Sequence, residues 1–233
     1  MGNRPGGELA ARPLQFIWIV DCSGSMAGKK IETVNFAIRE CIKPMQDVAD
    51  ENPNAQVVVR AVKFSDSATW HIALPVEVHD FKWTDLNANG VTDMGKAMEL
   101  VADALKTENM PERGLPPVLV LLSDGQPTDE FAGGLKRLMD QPWGKKSVRV
   151  AIAIGDDADL DVLQKFLGHP EIKPLQSTNA ADLVNKIKWA STVPLKAASS
   201  PASRTSDQAT SSSNVPIPAP PTDVAPVSAN DVF

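Results

Sequence analysis

An apolar run over residues 14–20, in which Gln15 is the one polar residue, ends directly at Asp21 and sets the strongest limit on the fold. Because the run does not alternate with polar residues, it predicts a central strand covered on both faces. Apolar residues then recur at three- and four-residue steps from Ile31 to Val48, which predicts an amphipathic helix continuing to about Glu51. A buried strand followed by such a helix is typical of an α/β domain.

The alternation of expected strands and helices continues along the chain. Runs at 56–64 and 68–78 are joined only by Ser65-Asp66-Ser67, a connection short enough to make the two strands antiparallel, and Pro75 marks the second as an edge strand. Helices expected at 94–105, 129–139, 160–167 and 180–189 alternate with strands at 117–122, 148–154 and 172–175. We therefore predict a Rossmann-like doubly wound, mostly parallel sheet of order 3-2-1-4-5-6, with one antiparallel edge strand and helices on both faces.

Composition limits the partners and the compartment. The net charge of −6 is spread along the chain and gives no basic footprint for nucleic acid or for an anionic membrane surface. The run at 14–20 is too short for a transmembrane helix and lacks a cleavage site, so we expect a cytoplasmic protein, monomeric alone. Cys22 and Cys41 fit no disulfide framework and are expected to be small buried residues.

The composition changes to serine, alanine, proline and threonine from residue 193 onwards. Such a segment buries too little apolar area to offset its ordering entropy. We therefore expect a flexible N-terminus over 1–12, one domain over 13–192 and a disordered tail over 193–233. Exposed tail hydroxyls are candidate phosphorylation sites, the alternative being a plain solvated linker. These candidates are Ser203, Thr205, Ser206 and Thr210.

Oxygen-bearing side chains alternate immediately after the first strand, at Asp21, Ser23 and Ser25, with Gly24 at the turn. Alternation directs the three side chains to one place, and hydroxyl and carboxylate oxygens are hard ligands that suit Mg²⁺, Mn²⁺ or Ca²⁺. An ordinary turn uses the same residue types, because Asp and Ser side chains hydrogen-bond to nearby backbone groups and Gly relieves backbone strain. The motif alone therefore leaves both interpretations open.

Two residues farther along the chain favour the interpretation as a metal site. Asp124 follows the strand expected at 117–122, and Thr92 lies in a loop directly before a helix. In the predicted strand order, the strands that end at Asp21 and Asp124 are neighbours at the topological switch point, where ligands bind. The fold would therefore bring the two carboxylates together.

These residues resemble the metal-ion-dependent adhesion site (MIDAS) of von Willebrand factor A (VWA) domains. The matching motifs are Asp21-Xaa-Ser23-Xaa-Ser25, Gly90-Val91-Thr92 and Ser123-Asp124-Gly125. The resemblance implies that Ser23, Ser25 and Thr92 offer hydroxyls to a divalent cation, Mg²⁺ above all, while Asp21 and Asp124 act directly or through water. The longer stretches around these motifs look like the bacterial tellurite resistance-associated (TerY-like) proteins, which implies a serine/threonine kinase and a protein phosphatase as partners.

The hypothesis from these residues is a metal-dependent interaction module, not an enzyme, whose cation is completed by an exposed Asp or Glu of a partner protein. Met26, Asp93 and Gln126 are expected at the rim that touches the partner. An adaptor for a chaperone-like ATPase would differ only in the partner. A Mg²⁺-dependent hydrolase would need a general base or nucleophile near the metal, and no side chain is clearly placed for that role.

Overall fold

A computed structural model describes residues 11–199, 218–226 and 232–233. In these ranges strands and helices alternate along the chain, as the sequence predicts. The strands are β1 Arg12–Asp21, β2 Ala55–Phe64, β3 Ala68–Glu77, β4 Val118–Ser123, β5 Val148–Ile154 and β6 Leu175–Ser177. The helices are α1 Lys29–Asp50, α2 Met94–Ala104, α3 Phe131–Asp140, α4 Pro142–Lys146, α5 Leu160–Leu167 and α6 Ala180–Ser199.

The six strands form one sheet in the order β3-β2-β1-β4-β5-β6. β3 is antiparallel to β2, and every other neighbouring pair is parallel. The predicted fold class and strand order are therefore confirmed. β1 and β4 lie side by side at the centre, where Val20 is paired with Leu122, so the carboxyl ends of both strands reach the same edge.

The helices cover both faces of the sheet. Phe16, Trp18 and Val20 point to one face and pack in a core with α1 and α6. Ile17 and Ile19 point to the other face, in a core with α2, α3 and α5. All five side chains are fully buried, and full burial of a large apolar side chain contributes about 1.5–3 kcal/mol. The two cores hold the ends of β1 and β4 in fixed positions.

Two short elements differ from the prediction. β6 begins at Leu175 rather than near Ile172, which lies half-exposed in a turn. Pro170 and Pro174 lack the N–H that a ladder needs, so pairing with β5 starts only where Leu175 meets Ile152. The helix α4 was not predicted, because a helix of five residues is too short to show a helical periodicity in the sequence.

The last helix is ten residues longer than the sequence predicts. It continues to Ser199, and Leu195 and Ala198 are buried against the core that α1 shares with α6. The predicted tail boundary at residue 193 is therefore wrong. The alanine and serine residues at the end of this helix have the composition of a tail, but Ala198 and Ser199 lie on its buried face. Residues 218–226 and 232–233 make ordered contacts with the domain, which the prediction of a disordered tail did not foresee.

Other predictions on the termini lie outside the described residues, among them residues 1–10 and the candidate phosphorylation sites Ser203, Thr205, Ser206 and Thr210. Cys22 and Cys41 are buried free thiols, as predicted. Within the described ranges, no helix combines the length and hydrophobicity needed to cross a membrane.

Candidate metal centre

Asp21 is the last residue of β1, and both of its carboxylate oxygens have hydrogen-bond donors. Oδ1 accepts the backbone N–H of Ser23 at 2.8 Å, and Oδ2 accepts the hydroxyl of Ser123 at 2.6 Å. Ser123 is the last residue of β4, so the second bond joins the two central strands across the switch point. These bonds fix the orientation of a carboxylate that is fully buried.

The two serine hydroxyls of the first motif lie together, as the alternation predicts. A 3-10 turn over Gly24–Met26 follows β1, and it brings Oγ of Ser23 within 3.0 Å of Oγ of Ser25. Ser23 is buried, whereas Ser25 is exposed. The hydroxyl pair therefore spans the boundary between the interior and solvent.

The loop before α2 is tied directly to the first motif. The N–H of Asn89 donates to the carbonyl of Cys22 at 2.8 Å, and the N–H of Gly24 donates to the carbonyl of Gly90 at 2.9 Å. Gly90 has φ of +81°, and a Cβ there would lie 2.3 Å from Oδ1 of Asp66. Only glycine fits this position without strain. The Asp66 carboxylate accepts the N–H of Val91 at 2.9 Å and so anchors the loop.

Thr92 follows in the same loop and is tied to the loop after β4. Its N–H donates to Oγ1 of Thr128 at 3.0 Å, and the N–H of Thr128 returns a bond to the Thr92 carbonyl at 2.9 Å. The Asp129 carboxylate accepts the N–H groups of Gly95 and Lys96, the first turn of α2, at 2.8 and 2.9 Å. The three loops that carry the predicted ligands are thus linked by hydrogen bonds.

Asp124 is fully buried, and neither of its carboxylate oxygens has a hydrogen-bond partner. An ionised carboxylate buried without a partner costs several kcal/mol by order of magnitude, so such groups are normally paired or bound to a metal. Its backbone is held independently, because its carbonyl accepts the N–H of Asp159 at 2.7 Å. The orphaned side chain therefore fits a bound cation.

Burial also dominates the electrostatics of Asp21. It raises the pKa of this carboxyl to about 6, against hydrogen bonds from Ser123 and Ser23 that lower it, while the nearby charge of Asp124 raises it further. Two carboxylates at the same buried edge repel each other. A divalent cation held at this edge would relieve both the repulsion and the burial cost.

The donor set is unlike a carboxylate or thiolate cluster. In the part of the chain that the structure describes, no group of three or more His, Cys, Asp or Glu side chains could hold a metal ion. The candidate centre combines two carboxylates with three hydroxyls instead. All five oxygen-bearing residues lie on linked loops at one end of the sheet, and this chemistry suits a hard cation.

Of the three residues predicted to lie at the rim and touch a partner, only Gln126 is exposed. Met26 is 0% exposed and belongs to the core, because the 3-10 turn directs it inward, so its prediction as a partner contact is wrong. Asp93 is nearly buried and paired with Lys96 at 2.5 Å, which leaves it little surface to offer. Gln126 is exposed, and its amide donates to the Asp157 carbonyl at 2.9 Å. Val91, which the prediction missed, is 48% exposed beside Thr92.

The sequence reasoning also missed the residues that support the ligands. Ser123, Asp66 and Asp129 hold Asp21, the Gly90 loop and the start of α2. Ser123 could have been found, since it adjoins Asp124 in the motif and ends a strand paired with β1. Asp66 and Asp129 carry no such signal, because aspartates in loops usually serve local turns.

Comparisons with known proteins agree with the fold. The chain is 26% identical over 165 residues to inter-alpha-trypsin inhibitor heavy chain H6 of Homo sapiens, covering 64% of this chain and 12% of that protein. It is 30% identical over 131 residues to heavy chain H4 of Bos taurus, covering 52% and 13%. The chain therefore spans only a small part of the length of these curated relatives.

Solved structures share the fold at lower identity. The von Willebrand factor type A protein from Catenulispora acidiphila has a TM-score of 0.59 and 18% identity, covering 79% of this chain and 43% of that chain. The ArnB paralog VWA2 from Sulfolobus acidocaldarius has a TM-score of 0.58 and 16% identity, covering 77% and 45%. The model of the von Willebrand factor type A domain matches residues 17–187, which is more than half of the chain. This protein therefore belongs to the von Willebrand factor type A domain family.

Proposed function

We propose that this protein is a metal-dependent protein-interaction module rather than an enzyme. In this proposal Asp21, Ser23, Ser25, Thr92 and Asp124 hold a divalent cation, with Mg²⁺ the best fit and Mn²⁺ or Ca²⁺ as alternatives. The observation that carries the proposal is the buried carboxylate of Asp124, whose two oxygens have no partner. Domains of this family commonly bind a divalent cation through such a site, which adds support.

The charge of the donor set explains why a partner would bind. Three of the five donors are neutral hydroxyls, which give less charge to the metal than carboxylates do, so the cation stays electrophilic and attracts an anion. Ser25 is exposed, so the proposed site meets solvent on its side. An Asp or Glu on a partner protein would complete the coordination there. Gln126 and Val91 are the exposed residues that would meet the partner surface.

The biological setting is a second part of the proposal. The TerY-like resemblance of the motif stretches supports a bacterial phosphorylation-linked stress or tellurite-resistance system, with a serine/threonine kinase and a protein phosphatase as partners. An adaptor for a chaperone-like ATPase would use the same metal contact with a different partner. The two settings make the same demand on the metal site.

A metal-dependent hydrolase is the weaker proposal, because each histidine is engaged elsewhere. His71 bonds to the Thr84 carbonyl at 2.9 Å, and His79 lies 3.2 Å from the Asp50 carboxylate. His169 accepts the N–H of Glu171 at 3.3 Å. No contact links them to the candidate ligands.

The test is a pull-down from a native extract in Mg²⁺ and in EDTA, read by mass spectrometry, with the wild-type chain and Asp124→Asn as baits. We expect a partner that is retained by the wild type in Mg²⁺ and lost both in EDTA and with the variant. Asp80→Asn, an exposed carboxylate away from the site, is the matched control and should retain the partner. A partner retained equally by all three baits in both buffers would contradict metal-dependent binding.

A further inference from the structure

The C-terminal residues 218–226 lie against β6 and the start of α6, at the sheet edge farthest from β3. The candidate metal centre is at the ends of the central strands, so this surface is separate from it. Leu167, Ile172, Leu175 and Trp189 line the groove together with the docked segment itself. In addition to these apolar contacts, the dipeptide Asp223-Val224 of the segment makes specific hydrogen bonds with the domain.

Three polar side chains bind three different groups of this dipeptide. Nζ of Lys186 donates to the carboxylate of Asp223 at 2.7 Å. Oδ1 of Asp182 accepts the N–H of Val224 at 3.0 Å, and Nδ2 of Asn179 donates to the Val224 carbonyl at 2.8 Å. A side-chain charge and both backbone groups of the next residue are therefore recognised together, as when an extended peptide is bound in a groove.

The three side chains that recognise the dipeptide are buried and are linked to one another. Lys186, Asp182 and Asn179 are each 2–3% exposed. Lys186 is paired with Asp182 at 2.7 Å, and Asn179 caps α6 by accepting the N–H of Asp182 at 3.0 Å. Lys186 also donates to the Gln176 carbonyl. Buried lysines are rare, because burial of the ammonium group is costly unless it is paired. One of the carboxylates that pair with Lys186 belongs to the segment.

The segment itself has the properties of a ligand rather than of a core element. The side chain of Asp223 is 88% exposed although it binds a buried lysine. Pro218, Pro220 and Pro221 precede it, and proline-rich chain favours the extended polyproline II form, which loses little entropy on docking. The domain therefore provides the polar side chains of the site, and the segment provides a proline-rich peptide.

The chain length permits this docking within one molecule. α6 has 20 residues, so its end at Ser199 lies about 30 Å from its start by the rise of 1.5 Å per residue. Residues 200–217 connect Ser199 to Pro218, and 18 residues can span at most roughly 60 Å when fully extended. The end of the chain is held at the same place, where Val232 bridges Asn179 and the N–H of Phe233 donates to the Thr178 carbonyl at 3.0 Å.

We propose that Asn179, Asp182 and Lys186 form a peptide-docking site for an extended, proline-rich segment that carries an aspartate, and that residues 218–226 of the same chain occupy it. The aspartate side chain pairs with Lys186, and the residue after it offers its N–H and C=O to Asp182 and Asn179. Proline is therefore excluded at the position of Val224, because it has no N–H.

The first measurement is amide hydrogen exchange of the full-length chain, resolved at Val224. We expect at least tenfold protection in the wild type relative to an unstructured peptide, and its loss in Asp223→Lys, which places a second positive charge against Lys186. Thr222→Ala is the matched control, since this neighbour is exposed and should leave protection intact. Wild-type exchange at the unstructured rate, or unchanged protection in Asp223→Lys, would overturn the proposal. Protection that grows with protein concentration would assign the segment to a second copy and overturn occupancy within one chain.

The second measurement is binding of a fluorescent peptide with the sequence of residues 218–226, followed by anisotropy. The full-length Asp223→Lys chain should bind it at least tenfold more tightly than the wild type, whose site is already filled. The same peptide with asparagine in place of aspartate should bind more weakly, because Lys186 loses one of its two carboxylate partners and keeps only Asp182. Failure of the peptide to bind Asp223→Lys would overturn the existence of a docking site.

Discussion

The hydroxyl of Ser123 donates a 2.6 Å hydrogen bond to Oδ2 of Asp21, and so joins the ends of the two central strands at the topological switch point, where the strand order reverses. The same oxygen of Ser123 accepts the N–H of Gly125 at 2.8 Å, which positions the loop that contains Asp124. One side chain therefore supports both the Asp21 carboxylate and the backbone of the loop that carries Asp124.

Ser123→Ala should weaken both the fold and the metal site. The change leaves a buried carboxylate oxygen and a buried N–H unsatisfied, at about 1–3 kcal/mol each. We expect a lower free energy of unfolding in denaturant and weaker Mn²⁺ binding by calorimetry. The control is Ser147→Ala, which removes a buried hydroxyl that bonds to the Gly144 carbonyl at 2.6 Å, away from the site. Equal metal affinity in the two variants would show that Ser123 is not a support of the site.

Gly90→Ala should displace the loop that carries Thr92. The added Cβ would meet the Asp66 carboxylate at 2.3 Å, and a left-handed backbone costs a non-glycine residue roughly 1–2 kcal/mol. Mn²⁺ affinity should fall along with stability. Gly133→Ala in α3 is the matched control, because its Cβ meets nothing within 4 Å and alanine favours a helix by up to about 1 kcal/mol. A Gly90→Ala variant as stable as Gly133→Ala would contradict this account of the loop.

Leu195→Ala tests whether α6 continues past the boundary that composition suggests. Leu195 is fully buried, and truncation of a buried leucine to alanine costs about 2–5 kcal/mol. Leu74→Ala removes the same atoms from a side chain that is 77% exposed and should cost far less. Denaturant unfolding of both variants gives the comparison. Equal stability of the two would place residue 195 in a tail rather than in the core.

The arrangement of strands and helices could be predicted because it depends on long, strong patterns. The apolar run before Asp21 predicts the central strand, and the three-residue connection before Ala68 fixes the antiparallel edge. Both signals are local and need no knowledge of distant contacts. Together with the later alternation of strands and helices, they predict a strand order that places Asp21 and Asp124 at the same edge.

Other features depend on tertiary contacts that no local pattern reports. Met26 looks like an exposed loop residue in the sequence, but the 3-10 turn buries it. Leu195 lies in tail-like composition, and only its packing against the core shared with α1 shows its role. The docking of Asp223 on Lys186 joins residues 37 positions apart, and neither neighbourhood signals the other.

The proposed metal site is tested by the stability of the wild type and of Asp124→Asn, measured by thermal unfolding in EDTA and in saturating Mn²⁺. In EDTA the variant should be at least as stable as the wild type, because it removes a buried charge that has no partner. At about 100 times the dissociation constant, Mn²⁺ should stabilise the wild type by roughly 2.7 kcal/mol. The variant should gain far less from Mn²⁺ than the wild type does. Identical wild-type unfolding in the two buffers would contradict the claim that Asp21, Ser23, Ser25, Thr92 and Asp124 hold a metal ion.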